Sequence, residues 1–379
     1  MKVLALEPYY GGSHRAFLDG WSSRSRHEWT VLTLPAYKWK WRMRHAAITF
    51  AQQVVALADG GASWDALFCS DMLNLAEFLG LLPERIRAGF GRRTTLYFHE
   101  NQLTYPVRQA SERDYQFAFT NISSALAAGG VWFNSAFHRD SFLGAIEAFL
   151  ARMPDHQPAD VPGQVRCKSE VHPPGIDGFG RRGPRPPGPL RICWAARWEH
   201  DKNPEDFFEA LGRLLDRGVD FRVSVIGERF RDCPEVFDRV RPKLVDRIDR
   251  WGYQSSRADY RQALTEADVI VSTARHEFFG IGIVEAIAAG AHPLLPRRLS
   301  YPEMLGETTE TEPFFYDGSV DELTAKLRGL AEGLSDDGTD RTGLLRAVQE
   351  EGGVRARLEA RFGWSQVVPV MDDALERQC

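Results

Sequence analysis

The chain has 379 residues, of which 43% are hydrophobic and 26% are charged, and its formal net charge is -5. This length and balance indicate a globular protein of about two domains and exclude a disordered or collagen-like chain. The negative net charge argues against a general nucleic-acid-binding protein, although it says nothing of local basic patches.

Apolar strand-like runs alternate with amphipathic helical stretches, which predicts an α/β fold with parallel sheets. In the first half the predicted strands are Lys2–Leu6, Trp29–Leu32, Ala66–Ser70, Thr94–Phe98 and Val131–Asn134. In the second half they are Leu190–Trp194, Phe221–Ile226, Ile248–Tyr253, Val269–Ser272 and His292–Leu295. Two such runs predict two doubly wound, Rossmann-like domains.

A segment dense in glycine and proline, GFGRRGPRPPGP at 178–189, is predicted to be the interdomain linker. We therefore expect a first domain over 1–177 and a second over 190–362. After the linker, a helix is predicted to begin with Asn203 as its cap and Pro204 at its first position, and to stop at Gly218. The stretch 363–379 is predicted to be a helix that could cross back to the first domain.

The segment EPYYGGSH follows the first strand, and its Gly11, Gly12 and Ser13 form a loop that a phosphate could approach closely. The three-glycine dinucleotide fingerprint is absent, so a plain tight turn is the alternative. Farther along, His99 stands at the carboxyl end of the strand in TTLYFHENQ. It could hydrogen-bond a sugar hydroxyl or a reacting oxygen, and a satisfied buried histidine is the alternative.

The segment YKWKWRMRH alternates cations with aromatic or apolar residues. If it is extended, one face is cationic and the other is aromatic, which suits phosphates and the unstacked bases of RNA loops. The alternative is a solvated basic edge strand with its tryptophans in the core. The candidate RNA-binding residues are Lys38, Trp39, Lys40, Trp41, Arg42 and Arg44.

In the second half, Arg197 and Lys202 bracket the loop in AARWEHDKNP, directly after a predicted strand. Fixed cations at this position can stabilise a departing diphosphate. The alternative is that both residues are ordinary surface cations.

The most informative segment is STARHEFFGIGIVEAIAAG, in which a strand, a glycine-containing loop and a short helix follow one another. Amides at the start of such a helix can hold a phosphate. Glu285 is expected to bind ribose hydroxyls and Glu277 to lie near a sugar ring, while Phe279, Gly280 and Ile281 line the loop. The alternative, two solvated glutamates, is disfavoured by this context.

No D-x-D, H-E-x-x-H, Walker A or nucleophile-elbow pattern is present, so we expect no metal and no cofactor beyond a nucleotide-sugar co-substrate. The five cysteines have no paired spacing and are expected to be reduced thiols. No apolar stretch is long enough for a membrane span, and no signal-peptide pattern is found. We therefore expect a soluble cytoplasmic protein.

Arg197, Lys202, the passage from Tyr260 to Asp268, and the E-x7-E of Glu277 and Glu285 together resemble the retaining glycosyltransferases of family four. The resemblance implies a GT-B fold, in which two Rossmann-like domains face a cleft. It also implies that the Arg and Lys bind the diphosphate, that Glu285 binds the ribose, that Glu277 contacts the donor hexose, and that no divalent metal is needed.

The first half is similar to a narrower group, the tRNA-queuosine α-mannosyltransferase family. The similarity is carried by the segments EPYYGGSHRAFLDG, LPAYKWKWRMR, SDMLNLAEFLGLLP, YFHENQLTYPV, ERDYQFAFTNI and VWFNSAFHRDSFL. It implies GDP-mannose as donor and the cyclopentenediol of queuosine in a tRNA anticodon as acceptor. Separately, we expect no membrane association and no obligate protein partner.

These inferences predict a retaining transferase with His99, Arg197, Lys202 and Glu277 as its catalytic residues. A double displacement needs a carboxylate nucleophile, and no candidate stands out, so we expect a front-face route in which the departing diphosphate takes the acceptor proton. Two alternatives stay open. One is a transferase that acts on a lipid or small molecule, and the other is a non-catalytic module that binds nucleotide sugars or RNA.

Overall fold

The structure is a computed structural model that describes residues 1–106, 114–180, 182–230, 232–335, 337–350 and 352–377. The chain divides into two units, of which one comprises Met1–Gly175 with Trp364–Cys379 and the other Ile176–Gly363. Each unit contains one six-stranded parallel sheet with helices around it. The two sheets confirm the α/β class.

The first sheet has the strand order β2-β1-β3-β4-β5-β6. Its strands are β1 Lys2–Tyr10, β2 Glu28–Pro35, β3 Ala66–Ser70, β4 Thr94–Phe98, β5 Gly130–Phe133 and β6 Ser169–Val171. The helices between and after them are α1 Gly12–Ser22, α2 Trp39–Asp59, α3 Leu75–Leu81, α4 Glu84–Phe90, α5 Tyr115–Ala127, α6 Ala136–Leu150 and α7 Val161–Arg166.

The second sheet has the strand order β12-β11-β10-β7-β8-β9. Its strands are β7 Leu190–Ala195, β8 Phe221–Ile226, β9 Ile248–Gly252, β10 Val269–Val271, β11 His292–Pro296 and β12 Phe315–Tyr316. The helices of this unit are α8 Pro204–Asp216, α9 Val236–Leu244, α10 Arg257–Glu266, α11 Ile281–Ala288, α12 Tyr301–Leu305, α13 Val320–Glu332, α14 Leu344–Ala347 and α15 Val354–Phe362.

Helix α16, Trp364–Arg377, belongs to the first unit. Its apolar face packs with Phe17, Trp21 and Trp132 on one face of the first sheet. A Cβ added at Gly20 or Gly175 would come within 2.1 or 2.2 Å of the Trp364 ring, so the indole needs glycine at both positions. The side-chain alternation of β1 fills both cores, because Val3 and Ala5 face α16 whereas Leu4 and Leu6 face the opposite core.

All ten predicted strands form, with ends that differ by a few residues. The prediction missed β6 and β12, which are three and two residues long and lie at sheet edges. Asn203 precedes α8 as expected, but it adopts a left-handed conformation at φ 50° and its side chain makes no cap. Gly218, at φ 70°, ends this helix as predicted.

The described residues of the predicted linker, 178–180 and 182–189, belong to the second unit. Arg182 and Arg185 pair with the carboxylate of Asp268 at 3.0 and 2.9 Å, and Asp268 is only 1% exposed. The buried charge holds the segment in place because it would otherwise be uncompensated. Some residues of the quoted sequence segments lie outside the described ones, namely Val107, Glu112, Arg113, Arg181 and Cys379.

None of the helices in the described ranges is long and apolar enough to cross a membrane. Cys69, Cys167, Cys193 and Cys233 are free thiols, as predicted.

Candidate functional site

The carboxyl ends of three adjacent strands bring polar side chains together in the first unit. Glu7 lies in β1, Asp71 directly follows β3, and His99 directly follows β4, and these strands are neighbours in the sheet. Helix α1 adds His14 from its first turn. Ligands of parallel α/β sheets bind at this edge, so the cluster is the candidate site of the first unit.

Glu7 and His14 form a buried carboxylate–imidazole pair. His14 Nδ1 is 3.2 Å from Glu7 Oε2, and the two residues are 7% and 2% exposed. Burial opposes a charge on His14, but the Glu7 carboxylate outweighs it and raises the pKa of His14 to about 9. Glu7 Oε1 accepts hydrogen bonds from the Tyr9 amide at 2.8 Å and the Ser70 hydroxyl at 3.0 Å. His14 is therefore an imidazolium at neutral pH.

Two hydrogen bonds fix the main chain of His99. Its amide donates to Asp71 Oδ1 at 2.9 Å, and its carbonyl accepts from the Asn134 side chain at 2.9 Å. Its half-buried ring stacks on His14 with centroids 4.0 Å apart. Burial and then the charge of His14 lower the pKa of His99 well below its ordinary value. His99 therefore carries a neutral imidazole.

Asp71 is fully buried, and burial raises its pKa to about 8, against the opposing effect of His14. Its Oδ2 atom has no hydrogen-bond partner among the described residues. At neutral pH this carboxyl therefore favours its protonated form, which lowers the cost of burying a second acid beside Glu7.

Donor atoms of Glu7, His14 and His99 lie within 4.8 Å of one another, close enough to share a cation. The Nδ1 atom of His14, however, already points at the Glu7 carboxylate. The observed contacts are therefore those of a Glu7–His14 ion pair next to a neutral His99, and not those of three ligands facing one cation.

The loop ahead of α1 has the shape that a phosphate-binding turn needs. A Cβ at Gly11 would lie 2.5 Å from Ala36 Cβ, so only glycine fits there. Gly12 has φ 51°, in the left-handed region, and Gly12 and Ser13 are exposed at the start of α1. The amides at the beginning of this helix can bind an anion.

In the second unit, the structure brings Lys202 and Glu277 into contact. Lys202 Nζ is 3.2 Å from Glu277 Oε2 and 3.1 Å from Asp201 Oδ2, and it donates to the His276 carbonyl at 2.8 Å. Burial opposes the charge on Lys202, but Glu277 and Asp201 outweigh it, so the pKa of Lys202 is raised. The ammonium is therefore a fixed, buried charge and not a surface cation.

Arg197 follows β7 by two residues and is more exposed than Lys202, with a side chain 44% exposed and 3.3 Å from Glu199. It can reorient toward an anion without uncovering the core.

Helix α11 begins after Gly280, whose φ of 88° requires glycine. Glu285 lies one turn into this helix, where Tyr260 donates to its Oε2 at 2.8 Å and Arg257 lies 3.8 Å from its Oε1. Burial raises the pKa of Glu285. Tyr260 and Arg257 of α10 therefore orient this carboxylate.

The two other predicted donor-site residues of this loop, Ile281 and Phe279, differ in how exposed their side chains are. Ile281 is half-buried at the first position of α11. Phe279 is 6% exposed and packs edge-on against Phe362. Its side chain belongs to a core cluster of the second unit, and its contact with a donor stays a prediction.

The cationic segment is the start of helix α2, so the predicted extended arrangement is wrong. Trp39 and Met43, one helical turn apart, pack with Phe117, whereas Trp41 is 61% exposed. Only one of the two tryptophans therefore faces solvent, because helical spacing replaces alternation.

The basic residues of this segment also differ in their contacts: the two arginines are hydrogen-bonded to the protein, whereas the two lysines are exposed. Arg42 donates to the Pro35 carbonyl at 2.9 Å, and Arg44 donates to Gln116 at 2.7 Å while lying over Phe117. Lys38 and Lys40 are exposed beside Tyr37 and Trp39. The exposed residues at the start of α2 and just before it are therefore Tyr37, Lys38, Lys40, Trp41 and Arg44.

Sequence reasoning missed Glu7, His14, Asp71 and Tyr260 as site residues. Two of them lie in the quoted segment EPYYGGSH, and Asp71 lies in SDMLNL. The signal that could have found them is position, since each acid stands at the end of a predicted parallel strand.

Comparison with known proteins gives two matching families. Residues 2–176 match the family described as tRNA-queuosine alpha-mannosyltransferase N-terminal, and residues 189–332 match the group 1 glycosyl transferases. The chain is 37% identical to the tRNA-queuosine alpha-mannosyltransferase of Drosophila melanogaster over 80% of its own length and 81% of the relative. It is 27% identical to a GDP-mannose-dependent phosphatidylinositol dimannoside mannosyltransferase of Mycobacterium tuberculosis, over 64% of this chain and 59% of that protein.

Among solved structures, Anabaena HepE in complex with UDP is similar at a TM-score of 0.66 and 15% identity, with 99% of this chain and 100% of that chain covered. The sucrose-phosphate synthase of Thermosynechococcus elongatus is similar at a TM-score of 0.69 and 13% identity, with 100% and 99% covered. At these identities the likeness concerns the fold, which is the GT-B arrangement of two Rossmann-like units.

Proposed function

Because the chain belongs to the tRNA-queuosine α-mannosyltransferase family, we propose that it transfers mannose from GDP-mannose to the cyclopentenediol of queuosine in tRNA, with retention of the anomeric configuration. The observation that carries the proposal is the 37% identity over 80% of the chain, which spans residues of both units. That the chain is a glycosyltransferase follows from the same family and from its group 1 glycosyltransferase region.

The donor half of the proposal is supported by the geometry of the second unit. Lys202 and Arg197 follow the carboxyl end of β7, and their positive charges can bind and stabilise a diphosphate there. Glu285, oriented by Tyr260, presents a carboxylate to ribose hydroxyls, and Glu277, held by Lys202, presents one to the hexose. GDP-mannose is proposed because the similar mycobacterial mannosyltransferase carries that donor in its name.

The route of transfer is proposed to be front-face. Glu7 and Asp71 are 2% and 0% exposed, and Glu7 is engaged by three donors, so neither can attack an anomeric carbon. The departing diphosphate is then the base that takes the acceptor proton, while Arg197 and Lys202 stabilise its charge. In this scheme His99 binds a hydroxyl of one of the sugars.

The acceptor half is supported by the exposed surface of α2. Exposed lysines together with the solvent-facing rings of Tyr37 and Trp41 suit the phosphates and unpaired bases of an anticodon loop. This surface lies in the region that matches the N-terminal tRNA-queuosine family. We therefore assign α2 to the anticodon arm.

The test is incubation of the purified chain with queuosine-containing tRNA and GDP-mannose, followed by mass spectrometry of the nucleosides. We expect queuosine to gain one hexose, with no gain when UDP-sugars replace GDP-mannose or when the tRNA lacks queuosine. Absence of the hexose under all of these conditions would contradict the proposal.

A lipid-linked acceptor is the second candidate. The observation for it is the 27% identity to the mycobacterial phosphatidylinositol dimannoside enzyme. Hexose transfer to a lipid extract, with none to tRNA, would favour that candidate. The match of 2–176 to the tRNA-queuosine family makes the tRNA the stronger expectation.

A further inference from the structure

The ring of His99 rests on a buried pair that the proposed reaction does not use directly. The His14 ring lies 4.0 Å from that of His99, tilted by 32°, and His14 is itself bound to Glu7. Since Glu7 is held by Ser70 and by the Tyr9 amide, it cannot turn away from His14 without leaving a buried donor unsatisfied. The Glu7 and His14 side chains are therefore held in a single arrangement relative to each other.

Two further rings complete the surroundings of the His99 imidazole. Phe17 meets it edge-on at 5.2 Å and 87°, and Tyr97 lies at 4.7 Å and 61°. With its amide and carbonyl also bound, His99 is fixed in both its main chain and its ring. A group fixed in this way is suited to a single hydrogen-bond direction.

We propose that Glu7 and His14 are positioning residues for His99, and that the ion pair fixes the plane of the imidazole that meets a sugar hydroxyl at the carboxyl end of β4. This inference rests on the proposed function, because it requires that His99 meet a substrate. His14 and Glu7 need not touch the substrate themselves.

The charges around the cluster support a neutral His99. Besides Glu7, the Glu100 carboxylate favours the charged form of His14. The charges of His14 and of His138 on α6 lower the pKa of His99, in the same direction as burial. Tyr97, on β4, has its own pKa raised well above the usual value by burial and so stays neutral. A neutral imidazole can accept a hydrogen bond from a hydroxyl, which an imidazolium cannot do.

The test uses two variants of the full chain and a matched control. Glu7→Gln removes the carboxylate charge, and His14→Phe keeps an aromatic ring against His99 but removes the nitrogen that binds Glu7. The control is Asp372→Asn, which alters another buried carboxylate of the same unit that contacts Trp21, Ser25 and Arg26. For each protein we would measure the melting temperature, kcat and KM from about pH 5 to 9, and the ¹⁵N shifts of the His99 ring.

In both cluster variants we expect kcat to fall roughly tenfold or more, because a small misplacement of a reacting group is costly, while the KM for GDP-mannose stays unchanged. Loss of the His14 charge lets the pKa of His99 rise, so the acidic limb of the kcat profile moves toward neutral pH. Asp372→Asn should lower the melting temperature without moving that limb.

Three results would overturn the inference. The first is that both cluster variants match Asp372→Asn in kcat and pH profile. The second is a charged His99 ring in the wild type at neutral pH. The third is an equimolar divalent metal in the purified wild type that the variants lack, which would make these residues metal ligands. If the wild type fails to modify tRNA, the proposed function fails. The ¹⁵N shifts would still show whether the pair sets the charge of His99.

Discussion

At the scale of single residues, the protein handles buried charge by pairing it. Glu7 with His14, Lys202 with Glu277, and Asp268 with two arginines each place a carboxylate against a cation away from water. Removing one partner of such a pair leaves the other uncompensated, which costs more than the pair itself contributes. Substitutions at these positions therefore change stability as well as activity.

The Glu7–His14 pair makes stability depend on pH. Since the pKa of His14 rises from about 6.5 in the unfolded chain to about 9 in the folded protein, its contribution is fully present below pH 6.5 and is lost as pH rises through 9. The raised pKa of Asp71 likewise makes the free energy of unfolding fall as pH rises, in its case between about pH 4 and 8. We expect the free energy of unfolding to fall by about 3 kcal/mol between pH 6.5 and 9.5 on account of His14.

Chemical denaturation at several pH values measures this dependence. Glu7→Gln should reduce the slope between pH 6.5 and 9.5, because it removes the partner that raises the pKa of His14. The exposed Asp373→Asn should leave the slope as it is. Equal slopes in Glu7→Gln and wild type would refute the assignment.

Arg197→Ala is expected to lower kcat about 10²-fold without lowering the melting temperature, because one preorganised electrostatic contact is typically worth that much. Its side chain is 44% exposed, so its removal takes little buried surface from the core. The control is Arg213→Ala, which removes an arginine of α8 paired with Glu209 and Asp321. Near-normal turnover of Arg197→Ala in a GDP-mannose assay would end the diphosphate assignment.

At the scale of elements, helix α2 carries the basic residues assigned to tRNA. Lys40→Ala with Trp41→Ala should weaken tRNA binding and flatten its salt dependence, since each lost phosphate contact reduces the log–log slope by roughly one. Both side chains face outward, so folding and GDP-mannose affinity should be preserved.

The measurement is tRNA affinity at several salt concentrations. Arg85→Ala with Arg87→Ala on α4 is the matched control, because both arginines are exposed and paired with nearby acids. An unchanged slope in the α2 variant, or an equal change in the α4 variant, would remove α2 from the acceptor site.

One buried carboxylate adds polar contacts to the apolar packing of helix α16 on the first unit. Asp372 is 2% exposed and accepts hydrogen bonds from the Trp21 indole, the Ser25 hydroxyl and the Arg26 amide. Asp372→Ala leaves these donors unsatisfied and should cost roughly 3 kcal/mol in the free energy of unfolding. Its neighbour Asp373 is exposed, and Asp373→Ala should cost less than about 1 kcal/mol by the same denaturation measurement. Equal losses would contradict the assignment.

The elements show what the sequence could and could not predict. Central strands such as Ala66–Ser70 are continuous apolar runs and were predicted to the residue, whereas β6 and β12 are too short to show a pattern. In YKWKWRMRH, alternation by residue type favoured an extended chain, yet packing of Trp39 and Met43 on Phe117 selects a helix. The cluster around His99 was missed because β1, β3 and β4 become neighbours only through the order of the sheet.

At the scale of the whole molecule, the enzyme is expected to work without a divalent metal. The cations proposed to meet the diphosphate, Arg197 and Lys202, are protein side chains, and Lys202 is held in place before the donor binds. Activity should therefore survive excess EDTA in the tRNA assay. Its loss, with recovery on adding magnesium or manganese, would mean that the donor site is built differently.

The place of α16 in the first unit also bears on how the protein is made. A ribosome completes Met1–Gly175 and then the whole of 176–363 before it reaches Trp364. At about 5–20 residues per second, that delay is roughly ten to forty seconds. Throughout it, the nascent first unit lacks the helix that covers Phe17, Trp21 and Trp132, so these rings are available to chaperones or to other nascent chains. A premature stop codon anywhere in the second unit would therefore leave the first unit unfinished as well.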